Sequence, residues 1–154
     1  MHASPSRLLH KWLALTLISL SSAPAFAVDG FVCTVEQSAG RTFDKNTKVW
    51  SGSALRSKGK FLITKPDAEQ SKAGLVWIVK DIQANTAMSA CESDFNATGY
   101  LKCKGFGEFT FNRKNLRFLR SYTFGYVTDG VEETRWGEEG SNTPMLEAGR
   151  CVPL

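Results

Sequence analysis

The feature that most limits the chemistry of this chain is the position of its histidines. There are two, His2 and His10, and both lie within the first ten residues. Imidazole is the usual side-chain base near neutral pH and a frequent metal ligand. Ser-His-Asp and Cys-His nucleophiles and histidine-ligated metal sites are therefore excluded from the rest of the chain. We predict no catalytic residue, no metal site and no cofactor.

Two routes to catalysis without histidine remain, and neither has a strong pattern. Ser57 and Lys60 fit the S-x-x-K motif of serine acyl enzymes, but the accompanying S-D-N and K-T-G motifs are missing, so we predict a solvated turn. Paired carboxylates could hydrolyse glycosides, but the spacing of the strand acids predicts no pair. These acids are Glu36, Asp81, Glu108 and Glu147. A carboxylate-based hydrolase is the least favoured hypothesis.

The cysteines indicate cross-links rather than a metal site. The chain has four, Cys33, Cys91, Cys103 and Cys151, and no two of them are closer than 12 positions. A four-cysteine zinc site needs two close pairs, which are missing here. Of the three possible pairings, we predict Cys91–Cys103 as a local link and Cys33–Cys151 as a link between the chain ends, because first and last strands become neighbours in closed β architectures.

The first 27 residues predict a secretory signal peptide. Arg7 and Lys11 precede or flank an apolar run, Trp12–Leu20, and small residues end the segment at Ala27. We therefore expect a single mature domain, 28–154, that is periplasmic or secreted. The formal net charge of +4 includes two basic residues of this leader, so the domain itself is only weakly basic. This charge gives little support for nucleic-acid binding, and no apolar stretch is long enough for a membrane-spanning helix.

Short alternating runs separated by turn residues predict an all-β domain. We expect a single antiparallel barrel or sandwich of about seven or eight strands, stapled by the disulfides. The predicted strands are 31–37, 49–50, 60–64, 75–82, 100–103, 108–111, 116–127 and 145–152. We predict a polar connection at Ser38–Lys48. The pattern of Asn85–Ser93 indicates no clear strand and leaves room for one helical turn. Gly105–Gly107 predicts a tight bend, and Asn112–Asn115 a hairpin turn.

The predicted strand 116–127 contains a candidate ligand site. Arg120, Tyr122 and Tyr126 share one parity with further aromatic residues, so all three would point into the barrel. A buried guanidinium requires a partner, which we expect to be Asp81, Glu108 or a bound anion. The alternatives are a bulge that turns Arg120 to the surface, or a structural Arg–Glu pair. The functional hypothesis is a carrier for an anion or amphiphile.

A polar segment, Glu132–Pro144, contains the candidate partner-binding residues. These are Glu132, Glu133, Trp136, Glu138 and Glu139. A tryptophan surrounded by carboxylates resembles an interface hot spot for a basic partner, although the acids could instead pair with the basic stretch 102–120. With the missing catalytic residues, this favours a non-enzymatic protein that binds a protein partner in the cell envelope or outside the cell, such as an inhibitor, an immunity protein or an accessory factor.

Overall fold

The computed structural model of the chain describes residues 29–128 and 142–154. The predicted signal peptide and the predicted partner-binding residues 132–139 lie outside these ranges. None of the helices in the described ranges is long and apolar enough to cross a membrane.

The strands form one antiparallel sheet that closes into a barrel. Each strand pairs with its neighbours in an antiparallel register, and β1 closes the ring by pairing with β9. Eight strands make the ring and β2 is an additional strand outside it. The bounds are β1 Gly30–Asp44, β2 Val49–Leu55, β3 Lys60–Thr64, β4 Trp77–Asp81, β5 Thr86–Cys91, β6 Tyr100–Gly105, β7 Gly107–Asn112, β8 Arg117–Tyr122 and β9 Met145–Pro153, with helices α1 Ala68–Lys72 and α2 Phe124–Thr128. The all-β prediction is confirmed, as a barrel rather than a sandwich.

The first strand is longer than predicted. Residues 38–44, assigned above to a polar connection, continue β1 and pair with β2. The first part of β1, 30–34, pairs with β3 instead, and the register with β9 shifts between Val35 and Gln37. The second half of β1 tolerates polar residues because none of residues 38–44 is fully buried, and residues 41–44 extend beyond the pairing with β9. Because these residues are polar, their sequence did not indicate a strand.

Two further segment predictions are wrong. Thr86–Cys91 forms β5 with no helical turn, and buried Ser89 and Cys91 alternate with partly exposed neighbours, as expected of a strand. The strand predicted to run from 116 to 127 ends at Tyr122, and α2 follows it. There Gly125 lies so close to the backbone of Asn142 that a Cβ would meet its carbonyl oxygen at 1.9 Å.

Aromatic side chains fill the barrel interior. Phe61, Phe109 and Phe118 form its middle, with ring centroids 5.1 to 5.7 Å apart. All three are at most 3% exposed. Since a barrel of eight strands has an interior just wide enough for its own side chains, this layer leaves little room for a ligand in the middle of the barrel.

Both predicted disulfides are present. Cys33 and Cys151 are register partners on β1 and β9, with Cα atoms 3.8 Å apart. Cys91 links to Cys103 across the end of β5, with Cα atoms 4.1 Å apart. There are no free cysteines. Two disulfides are typical of a protein in an oxidising compartment outside the cytoplasm.

Candidate functional site

The barrel has one end that its own side chains close. At this closed end Phe31, Trp77 and Phe95 pack with centroids 5.4 to 6.5 Å apart. The indole N–H of Trp77 donates to Asp94 Oδ1 at 2.8 Å. This bond, together with the backbone N–H of Phe95, lowers the pKa of Asp94 below its ordinary value. The opposite end, where β9 begins and β6 turns into β7, contains the candidate sites and is called the open end below.

A buried polar layer of three side chains lies at the open end. Arg120 Nη1 donates to Glu147 Oε2 at 2.7 Å, and the two side chains are 9% and 4% exposed. Ser57 Oγ donates to the other carboxylate oxygen, Oε1, at 2.5 Å. Both oxygens of Glu147 therefore have a partner. A charged pair of this kind is tolerated inside a protein when its hydrogen bonds are satisfied.

The backbone explains how these residues meet. Arg120 on β8 and Glu147 on β9 are register partners, so their side chains share the inner face. Ser57 belongs to the interruption 56–59 between β2 and β3, which faces the register shift of β1. Its hydroxyl also accepts a hydrogen bond from the Gly59 amide at 3.2 Å. Ninety positions separate Ser57 from Glu147, and no sequence motif connects them.

Arg120 points inward, as predicted, but its expected partners, Asp81 and Glu108, make other contacts. Asp81 Oδ1 accepts from the backbone amides of Gln83 and Ala84 in the turn after β4. Glu108 is exposed and lies 3.9 Å from Lys102. The partner is Glu147 because it stands directly opposite on the neighbouring strand. The alternative of a bulge that exposes Arg120 is wrong, and the structural Arg–Glu pair is present.

The structure separates the three predicted ligand-binding residues. Tyr122 is buried, and its hydroxyl accepts a hydrogen bond from the Asn142 amide. Tyr126 is on α2 and is 49% exposed. Its ring packs edge-on against Trp50 at 5.5 Å and under the Arg41 guanidinium at 4.5 Å. Tyr126 therefore belongs to the outer surface near β2, because the strand that would have turned it inward ends at Tyr122.

The residues considered for catalysis have other partners. Ser57 is half-buried and bound to Glu147, so the prediction of a solvated turn is wrong for this serine. Glu36 is exposed and lies 3.5 Å from Arg150. Glu147 accepts from Ser57 through Oε1 and from Arg120 through Oε2. In the described ranges there is no group of three or more His, Cys, Asp or Glu residues that could hold a metal ion.

Two of the openings at this end are candidate binding sites. The first, called the mouth pocket, has a volume of about 470 Å³. Its lining includes Arg56, Ser57, Lys58, Arg120 and Glu147. The polar layer therefore forms part of the wall of a pocket large enough for a small molecule.

The second opening, called the apolar cleft, has a volume of about 510 Å³. It is lined by residues of β5, the β6–β7 bend and the end of β8, namely Ala87, Met88, Ser89, Ala90, Lys104, Gly105, Phe106, Tyr122 and Phe124. Phe106 at the bend is 60% exposed. An exposed aromatic beside an apolar cleft is typical of an interaction site.

No protein-family model, curated protein or solved structure matches the chain. The class of the protein is therefore defined by its own architecture. It is a closed, eight-stranded antiparallel barrel with one additional strand and two disulfides.

Proposed function

We propose that this protein is an exported, non-enzymatic binding protein that holds a protein partner at the open end of its barrel. The observation that carries this proposal is the apolar cleft beside exposed Phe106. Interface energy is concentrated in a few aromatic or apolar anchors that fill such clefts. At the closed end, by contrast, Phe31 and Trp77 are buried in the core.

The backbone segments that form the cleft are closely packed and hydrogen-bonded. Gly107, at the bend after Phe106, has φ +91°, and a Cβ there would lie 2.0 Å from the Ser121 carbonyl oxygen. At Gly105 a Cβ would lie 2.3 Å from the Met88 carbonyl oxygen. The Phe106 amide also donates to the same Met88 oxygen at 2.8 Å. A preformed cleft loses less conformational entropy on binding than a flexible one, which supports a role in recognition.

The charges near the cleft suggest the chemistry of the partner. Lys104 lines the cleft and is exposed, and Lys102 lies on the same outer face of β6. We therefore expect a partner that inserts an apolar side chain into the cleft and places a carboxylate beside Lys104. Asn142 donates a hydrogen bond to the hydroxyl of Tyr122, which lines the cleft. We also keep the prediction that the acids of segment 132–139 bind a second, basic region of the partner.

The test compares two variants, each of which replaces one residue, and the two residues are equally exposed at opposite ends of the barrel. Phe106 and Val152 are both 60% exposed, and Val152 is on β9 near the closed end. Oxidised wild-type protein, Phe106→Ser and Val152→Ser are used as bait for envelope and extracellular extracts. A partner retained by wild type and Val152→Ser but lost by Phe106→Ser supports the proposal. A partner that binds all three equally contradicts the assignment of the cleft.

Charge reversals separate the two expected contacts. Lys104→Glu should weaken the captured complex and reduce the salt dependence of its affinity. Replacing Glu132, Glu133, Glu138 and Glu139 with lysine tests the basic contact in the same way. A complex whose affinity and salt dependence are unchanged by the four replacements would remove the acidic segment from the interface.

A further inference from the structure

We propose that the mouth pocket is a binding site for a small organic oxyanion, a carboxylate or a phosphate monoester. The site is distinct from the apolar cleft, with which it shares no lining residue. The inference goes beyond the proposed function, because it concerns a small ligand rather than a protein partner.

The hydrogen-bond balance of the polar layer favours a ligand rich in acceptors. Both oxygens of Glu147 are occupied, one by Ser57 and one by Arg120. The N–H groups of Arg120, in contrast, are only partly hydrogen-bonded. Its Nη2 lies 3.5 Å from the Phe106 carbonyl oxygen, at the limit of a hydrogen bond, and its Nε has no partner. Since a guanidinium carries N–H donors on every nitrogen, Arg120 retains capacity for further acceptor oxygens.

A second unpaired polar atom borders the same pocket. The hydroxyl of Ser38 is buried without a hydrogen-bond partner, and Ser38 also lines the mouth pocket. In the described part of the chain, these two side chains contain the only buried polar atoms that lack a partner. Buried unpaired donors are rare and call for an explanation. Both atoms belong to residues that line the mouth pocket, so the wall of this pocket has polar groups that the protein itself leaves unpaired.

The rim of the pocket supplies a positive charge. Arg56 and Lys58 are exposed residues of its lining. The lining contains two acids, Glu147, which pairs with Arg120, and Asp81. Since Asp81 Oδ1 is used by two turn amides, part of its carboxylate is already engaged. Phe61, Leu55 and Met145 add an apolar surface. The combination fits a short organic body that ends in an oxyanion.

The first experiment identifies the ligand chemistry. Oxidised protein labelled with ¹⁵N is titrated with sodium butyrate, with phenyl phosphate and with uncharged butyramide, and amide shifts are followed. The site is supported if an anionic probe causes saturable amide shifts and butyramide does not. These shifts should be confined to residues 55–59, 81–83, 120 and 145–147. The anion that binds more tightly distinguishes the carboxylate source from the phosphate source. No saturable shift with either anion, or equal shifts with butyramide, would overturn the proposal.

The second experiment removes the charges that should recognise the anion. Arg56→Ala combined with Lys58→Ala should weaken binding of the better probe by about tenfold or more, as expected when charge-assisted hydrogen bonds are lost. Lys72→Ala is the matched control, because Lys72 is an exposed cation on α1 and does not line the pocket. Equal affinity of the double variant and the control would contradict the site.

The third experiment tests Arg120 without leaving a buried charge unpaired. Arg120→Met combined with Glu147→Leu replaces the pair by apolar side chains, which folded proteins commonly tolerate. A folded double variant, verified by its dispersed amide spectrum, should no longer bind the anion. If it folds and binds with the affinity of wild type, Arg120 is not the anion-binding group. If it does not fold, the loss caused by the rim variants decides the proposal.

Discussion

The buried pair between Arg120 and Glu147 provides the sharpest test of how this barrel is stabilised. Arg120 Nη1 and Glu147 Oε2 are 2.7 Å apart, and both side chains are almost completely buried. Arg120→Met should therefore leave the Glu147 carboxylate unpaired and lower the free energy of unfolding by about 3–5 kcal/mol. Glu147→Leu should cost a similar amount, because it leaves the guanidinium unpaired.

The double variant should behave differently from the sum of the two single variants. Arg120→Met with Glu147→Leu removes both charges, so its stability should lie within about 1 kcal/mol of wild type or above it. Ser57→Ala should cost about 1.5–3 kcal/mol, the range for a hydrogen bond to a charged group. The matched control is Arg150→Met, which removes an exposed pair with Glu36 at 3.5 Å and should cost less than about 1 kcal/mol.

Urea denaturation with the disulfides intact, followed by tryptophan fluorescence, measures these differences from the midpoint and slope. The expected order of stability is wild type close to the double variant, with both single variants well below. A double variant as unstable as the sum of its single variants would refute the explanation by unpaired charge. A slope that differs between variants would show that two-state unfolding has been lost, and the comparison would then use thermal unfolding by calorimetry.

Three further predictions concern the frame of the barrel. Gly107→Ala should lower the free energy of unfolding by about 2 kcal/mol or more in the same urea assay, because the backbone has φ +91° and a Cβ would collide with the Ser121 carbonyl. Its control, Gly52→Ala, places the Cβ where nothing lies within 4 Å and should change stability by no more than about 1 kcal/mol. Replacing both cysteines of a disulfide with alanine should cost about 5 kcal/mol for Cys33–Cys151 and about 3 kcal/mol for Cys91–Cys103, because the closed loops span 118 and 12 positions. Equal losses for the two would contradict the loop-entropy explanation. Finally, since the pKa of Asp94 is lower in the folded protein than its ordinary 3.8, its contribution to stability is present above that value and is lost as the pH falls through the folded pKa. Asp94→Asn should flatten this acid limb in thermal melts between neutral and acidic pH, and an unchanged limb would show that other groups cause it.

The sequence predicts the frame of this molecule better than its open end. Strand β3 has the predicted bounds. The Cys33–Cys151 pair follows from the position of its cysteines on the first and last strands, and the Cys91–Cys103 pair from their short separation in the sequence. Alternation is visible where one face of a strand is buried. It fails for residues 38–44, because this half of β1 has no fully buried residue. It fails for β5 because its small side chains resemble those of turns and helices.

The candidate site was predicted only in part for a related reason. The inward direction of Arg120 follows from strand parity, which is a local property. Its partner Glu147 depends on the register between β8 and β9, and Ser57 depends on an interruption that brings the chain back across the ring. Neither relation has a local pattern in the sequence. The place of Tyr126 was wrong because parity counting assumes an unbroken strand, and this one ends at Tyr122.

The seam between β1 and β9 makes completion of the barrel depend on two strands that are far apart in the sequence. β9 pairs with β1 along most of the length of β1, and the Cys33–Cys151 link, with a sequence separation of 118, fixes the same seam. A nascent chain that has reached only β8 has two unpaired strand edges and cannot complete its ring. Closure of the ring therefore requires contacts of long sequence separation, which slow folding.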